Sequence, residues 1–372
     1  MNFHFCRTQL AVVSTLTSIL TACAGGDSDV VRRDEQAAEP LAALEPSALA
    51  VRADALFGAL PDAVTSADRP LTEPRIELGR TLYHDPRLSR GQELSCNSCH
   101  DLSSYGVDVR PDAVARGTSF GHDGQFGGRN APTVYNAALH MTQFWDGRAT
   151  DVEEQAKGPI LNPIEMNMPD PASVMAVVAS IPGYRPMFEA AFPGAAQPLS
   201  YDNLATAIGA FERVLVTPSR FDAFVSGDLD ALTRDERDGL EVFIAQGCAS
   251  CHAGPGFGGG SYQKLGAAEP FATDDEGRAG VTGDDADAFF FKVPSLRNIA
   301  RTAPYFHDGS VRSLPEAVRL MARHQRAAHL TDDETARIVT FLHALTGELP
   351  RDRIAPPSLP PSGPATPAAD PR

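Results

Sequence analysis

Two pentapeptides constrain this chain more than anything else in it: Cys96-Asn97-Ser98-Cys99-His100 and Cys248-Ala249-Ser250-Cys251-His252. For a chain of this length and Cys and His content, one such pattern is expected by chance only about 0.003 times, so two are not accidental. On a helical turn, thiols three residues apart face one way. They suit thioether bonds to the vinyl groups of a haem, with the adjacent imidazole placed to ligate the iron from the same side. Zinc sites of this kind need further paired ligands, and redox dithiols need a βαβ setting, so both fit less well. The motifs therefore predict two covalently bound haem c groups: Cys96, Cys99 and His100 hold the first, and Cys248, Cys251 and His252 hold the second. With one motif in each half, 372 residues suffice for two domains.

Residues 1–22 carry one early positive charge, Arg7, and then an apolar and small-residue run. This reads as a secretory signal too short for a membrane span. Leu20-Thr21-Ala22-Cys23 resembles a bacterial lipobox, which implies cleavage before Cys23, a lipid on its thiol and a protein anchored to a membrane facing the periplasm. Cys6 leaves with the signal, so lipidation also removes the one remaining unpaired thiol from an oxidising compartment.

A formal charge of −16 argues against nucleic acid, since phosphate contact needs clustered Lys and Arg, and makes a basic redox partner the better expectation. The densest acidic run, Asp274, Asp275, Glu276, Asp284, Asp285 and Asp287, lies after the second motif. It reads first as a solvated loop and second as a docking surface for an electron donor.

Residues 23–45 lack a sustained apolar period and read as a flexible tether. Helical spacing appears at 47–60, 73–84, 172–181, 201–216 and 315–325, and the glycine-rich 101–128 stretch reads as a loop. Thr233 with Glu236, and Thr331 with Glu334, are capping boxes that open two more helices, the first leading to Cys248. Strand signals are sparse, so the fold is expected to be mainly α with few or no strands. The expected division is an N-terminal domain at 46–216, a C-terminal domain at 217–349 and an extended proline-rich tail at 350–372.

Each motif fixes one iron ligand, and what occupies the opposite face separates an electron carrier from an enzyme. For the second haem, Met321 and His324 compete on one helix. Trp145, the only tryptophan, is either a large core residue or a relay between redox centres. Glu165 is either a surface carboxylate or, if desolvated, an acid/base for peroxide chemistry.

Beyond the haem motifs, Arg129-Asn130-Ala131-Pro132-Thr133-Val134-Tyr135-Asn136, Phe144-Trp145-Asp146-Gly147-Arg148, Gln155-Ala156-Lys157-Gly158-Pro159, Asn162-Pro163-Ile164-Glu165-Met166, Pro294-Ser295-Leu296-Arg297-Asn298 and Thr302-Ala303-Pro304-Tyr305-Phe306-His307-Asp308-Gly309 closely resemble the bacterial di-haem cytochrome c peroxidases. The likeness spans roughly 78–345. The superfamily also contains the enzyme that matures tryptophan tryptophylquinone. The resemblance implies two cytochrome c-like haem domains in tandem, with His100 on the peroxidatic haem and His252 on the electron-transfer haem. It implies His122 as the distal ligand of the first iron in the resting oxidised form, released when the other haem is reduced, and Met321 as the distal ligand of the second. It assigns Trp145 to the inter-haem path, Glu165 to the peroxide protons with help from Gln155, and Asn130 with the carbonyls of Thr302 and Pro304 to a calcium ion. Asp123-Gly124 departs from the usual Gly-Trp after the histidine.

The function so implied is reduction of hydrogen peroxide to water with electrons from a small cytochrome c or cupredoxin. A homodimer is expected from the resemblance alone. Two alternatives stay open: a di-haem enzyme oxidising side chains of a partner protein, and a non-enzymatic di-haem electron carrier. Methionine at 321 favours the peroxidase branch, because the quinone-forming relative has tyrosine there.

Overall fold

The structure is a computed structural model that describes residues 44–370; the signal, Cys23 and nearly all of the tether lie outside the described residues. The expectation of a mainly helical fold holds: among the described residues, the only sheet is an antiparallel pair, Tyr262–Lys264 against Phe290–Lys292, with Tyr262 opposite Lys292. No helix among them is long and apolar enough to cross a membrane.

Two apolar clusters form the interior. The first gathers residues of the Glu73–Tyr83, Val152–Leu161, Pro171–Ser180, Tyr184–Ala191 and Tyr201–Glu212 helices. The second gathers those of Arg220–Val225, Arg234–Ala245, Leu314–Arg326 and Asp332–Ala344, and also takes in Pro46–Leu56, which chain order alone would place with the first. Both clusters are organised alike: a helix preceding the haem motif crosses a later helix at a glycine. A Cβ on Gly79 would lie 1.9 Å from the carbonyl oxygen of Ala207, and one on Gly239 2.1 Å from that of Arg337. These close crossings fix where each Cys-x-x-Cys-His turn begins.

Both capping boxes form. The Thr233 hydroxyl accepts from the amide of Glu236, whose carboxylate accepts from the amide of Thr233 at 2.9 Å, and Thr331 and Glu334 repeat the exchange. Among the helices not expected are Val152–Leu161 and Tyr184–Ala191; each contains a proline, Pro159 and Pro186, that breaks the apparent period. The 101–128 loop also contains a short Pro111–Arg116 helix.

Between the clusters, Thr217 is a shared anchor. Its hydroxyl accepts from the side-chain amides of both Asn136 (2.8 Å) and Asn298 (2.9 Å), the last residues of two of the motifs quoted above. The tail corrects an expectation: it opens with a helical turn, Arg351–Ile354, which buries Ile354 in the first cluster before the prolines begin. Beyond that it is laid over the first cluster by Arg87 to the carbonyl of Pro360 and by the Arg90–Asp370 ion pair.

Candidate haem and peroxide sites

At the first motif, Cys96–Cys99 forms one helical turn, held by the Ser98 hydroxyl accepting from the amide of Ser95 and by the Asn97 side chain accepting from the amide of Leu102. The hydroxyl of Tyr83, on the helix before the motif, donates to the carbonyl of His100 at 2.9 Å. Burial lowers the pKa of the His100 ring and keeps it neutral, as an iron ligand must be. Burial likewise pushes the Cys96 thiol up to about 12, with Glu212, Cys99 and Glu165 adding to it, and the Cys99 thiol up to about 11. All four motif cysteines are unpaired, leaving each sulfur available for a thioether.

His122 and Glu165 are brought to this same region. Gly121 packs so tightly on the following segment that a Cβ would stand 2.0 Å from the carbonyl oxygen of Ile164 and 2.4 Å from that of Glu165. The amide of His122 then donates to the Glu165 carbonyl at 2.7 Å. The His122 ring is only 3% exposed, and its Nδ1 lies 2.7 Å from a carboxylate oxygen of Glu93. The substituted pair after it forms a tight turn, with both Asp123 (φ 61°) and Gly124 (φ 68°) left-handed. Burial raises the pKa of Glu165, opposed by a hydrogen bond from Asn162 and by the charge of Arg148. The Asn162 amide occupies Oε1 at 2.8 Å. Gln155 lies half-buried on Val152–Leu161, two turns ahead of Asn162.

Sequence reasoning passed over Arg110 and Glu93. The Arg110 guanidinium stacks on the Phe120 ring 3.8 Å from its centroid, donates to the Phe120 carbonyl at 2.7 Å and lies 3.3 Å from the Cys99 sulfur. It thus ties the loop carrying His122 to the haem-attachment turn. An arginine and an aromatic ten residues apart in a glycine-rich loop give no periodic signal.

The second motif opens onto an apolar cavity of about 260 Å³ lined by Cys248, Cys251, His252, Trp145, Met321 and Leu342, among others. Nδ1 of His252 lies 3.1 Å from the carbonyl oxygen of Phe257, to which it donates, so Nε2 is left as the ligating nitrogen. Burial also keeps this ring neutral. A planar apolar cofactor joined to two sulfurs and a histidine fits this donor set. Of the two competitors, Met321 lines the cavity, whereas Nδ1 of His324 lies 2.9 Å from the carbonyl of Glu269, outside the lining.

Trp145 borders the same cavity, and its Nε1 donates to the carbonyl of Asn130 at 2.9 Å. Pro132 also lines this cavity. Asn130, Thr302 and Pro304 all border this space, and the Asn130 amide is 2.7 Å from the Pro304 carbonyl. Here the Asn130 side chain donates from its NH2, so to hold a calcium ion it would have to turn Oδ1 toward the Thr302 and Pro304 carbonyls. Within the acidic run, Asp275 is engaged in a bidentate pair with Arg129 at 2.6 and 2.7 Å, while Asp274, Glu276, Asp284 and Asp285 are exposed.

Residues 73–230 match the family described as di-haem cytochrome c peroxidase, and residues 237–346 match cytochrome c. The chain is 44% identical over 337 residues to the cytochrome c551 peroxidase of Pseudomonas aeruginosa, covering 89% of this chain and 94% of that one. It is 47% identical over 298 residues to the cytochrome c551 peroxidase of Nitrosomonas europaea (79% and 86% covered), and 34% identical over 294 residues to the methylamine utilization protein MauG of Methylorubrum extorquens (75% and 80%). Among solved structures, a MauG-like protein associated with microbial copper homeostasis superposes with a TM-score of 0.70 at 29% identity, covering 80% of this chain and 97% of that one.

Proposed function

The chain belongs to the di-haem cytochrome c peroxidase family, and from that premise we propose how its residues divide the work of reducing hydrogen peroxide. It is an oxidoreductase that acts on peroxide and carries two haem c groups. The observation that carries the division is the packing of His122 directly against Glu165 beside the first haem motif.

Cys96, Cys99 and His100 would hold the haem at which peroxide reacts; Cys248, Cys251, His252 and Met321 would hold the haem that takes electrons from the donor. Bound haem supplies the electron chemistry that cleaves the O–O bond. The surrounding residues supply position and protons. Asn162 fixes Oε1 of Glu165 and leaves Oε2 to take a proton from the inner peroxide oxygen and give it to the outer one, so that the leaving group departs as water. Partial desolvation brings this carboxyl nearer the working pH, which suits a group that must both accept and release a proton. Gln155 helps to orient the peroxide. His122 would close the site at rest and leave on activation, with the Asp123-Gly124 turn as the hinge and Glu93 as the tether. Trp145 carries electrons between the two centres. Asn130 with the carbonyls of Thr302 and Pro304 holds a calcium ion that ties the two halves together.

The donor is a small cytochrome c or a cupredoxin, drawn by the net negative charge. The enzyme works in the periplasm, anchored through lipid on Cys23, as a homodimer. Domains run 46–216 and 217–349. The test is an optical and EPR titration of the haem-loaded protein, oxidised and then half-reduced, followed by peroxide and a reduced small cytochrome. Half-reduction should open a high-spin haem and peroxide should then consume donor electrons catalytically; two permanently six-coordinate irons that ignore peroxide would overturn the reading.

A further inference from the structure

Lys292 ends the strand Phe290–Lys292 and is only 6% exposed, yet its one side-chain partner among the described residues is neutral: Nδ1 of His140, 3.1 Å from Nζ. A buried ammonium without an anion is costly and is retained in folded proteins when something pairs with it. No carboxylate does so here. Facing Lys292 across the two-stranded ladder is Tyr262, whose hydroxyl is engaged with Thr142, and the Trp145 carbonyl accepts from the Lys292 amide.

The space beside it explains what is missing. Lys292 and His140 border the cavity at the second haem motif, whose lining includes no Asp or Glu. The only other cation in that lining is Arg326, which packs on Gly247 next to Cys248, at the edge where the thioethers form. A haem joined there through its vinyl carbons still carries two carboxylate-bearing substituents on another edge. Those anions, buried in an apolar cavity, need a cation as much as Lys292 needs an anion.

We propose that Lys292, held in place by His140, is the counter-charge for a carboxylate substituent of the second haem. The inference rests on the assignment of a haem to Cys248, Cys251 and His252. His140 is suited to its part: burial, and then the charge of Lys292, hold its pKa well below the usual histidine value, so the ring stays neutral and accepts a proton from the ammonium in a hydrogen bond. Gly259 packs on that ring so closely that a Cβ would lie 2.2 Å from Cδ2, which holds its orientation. With only the protein around it, burial lowers Lys292 to about 8; an adjacent carboxylate raises it again. A fixed positive charge there stabilises the electron on the second haem, as an electron-accepting centre requires. Lys292 is thus a positioning and tuning residue.

The test uses the haem-loaded enzyme and its Lys292→Met, Lys292→Arg and His140→Asn variants. Covalent haem is counted, and the potential of each haem is measured by optical redox titration. The expected result is two haems throughout, a second-haem potential shifted negative in Lys292→Met and kept in Lys292→Arg, a smaller negative shift in His140→Asn, and an unmoved first haem. A fully loaded Lys292→Met enzyme with the wild-type potential overturns the proposal. Should that variant load only one haem, Lys292→Arg decides: full loading at the wild-type potential supports a charge role, and loss of the second haem there as well overturns it. A wild-type protein with fewer than two covalent haems would instead refute the haem assignment.

Discussion

The amide of His122 donates to the carbonyl of Glu165 at 2.7 Å, so the residue proposed to close the first site and the residue proposed to handle its protons share a backbone hydrogen bond. On the proposed roles, opening of the loop would be coupled mechanically to the readiness of the carboxyl. Glu165→Gln keeps the shape and the Asn162 contact but removes the proton-transferring group. Peroxide turnover in a steady-state assay with a reduced cytochrome should fall by roughly 10²–10⁴-fold, the usual worth of a positioned acid/base. Both haem spectra should stay as in the wild type, and turnover within a few-fold of wild type would remove Glu165 from the chemistry.

Gly121 is what permits that contact, because any side chain there meets the backbone of Ile164 and Glu165. In Gly121→Ala the methyl must push the two segments apart. The resting oxidised enzyme should show a changed first-haem EPR signal as His122 is displaced, together with lower turnover, while the second-haem potential stays fixed. An unchanged EPR signal at full activity would mean that the His122–Glu165 contact has no role.

The parts of this molecule that could be read from the chain are those encoded within a few residues. The two Cys-x-x-Cys-His turns and the Thr233–Glu236 and Thr331–Glu334 boxes are complete within one helical turn, and the structure contains all of them. The Val152–Leu161 helix escaped notice because Pro159, inside it, interrupts its pattern. Long-range pairings left no trace in the sequence. Lys292 and His140 are 152 positions apart, and Arg129 and Asp275 are 146 apart; neither pairing follows from composition or period.

Met321 and His324 share a helix, but only Met321 borders the second cavity. Met321→Leu conserves volume and removes the thioether. The second haem should then titrate at a lower potential, with the first unmoved, when both are followed optically. An unmoved second potential would exclude Met321 as its ligand; His324→Ala should leave both potentials as they are.

The buried Arg297–Asp222 pair joins the Pro294–Asn298 segment to the Arg220–Val225 helix through two bonds of 2.6 and 2.9 Å. Asp222→Ala would strand a fully buried guanidinium. A stability loss of about 3–5 kcal/mol is expected from breaking such a pair on one side. Chemical denaturation of the haem-loaded protein reads this directly, and a loss below about 1 kcal/mol would show that water or another group takes over the arginine.

Glu212 ends the Tyr201–Glu212 helix in the first core, where burial, and then repulsion from Glu153, push its pKa up to about 8 against the charge of Arg213. An unfolded glutamate titrates near 4.3. Between these values the folded protein holds a proton that the unfolded chain has released, so raising the pH through that window favours unfolding. The stabilising contribution of the neutral acid is intact below the unfolded value, declines across the window and is gone above about 8. Glu212→Gln removes this titration. Plotted against pH, the melting temperatures of the two haem-loaded proteins should run together at the acid end, diverge in favour of the variant as the pH rises, and become parallel once the wild-type carboxyl has ionised. Curves that stay parallel throughout would mean that Glu212 is ionised at neutral pH, compensated by a closer approach of Arg213.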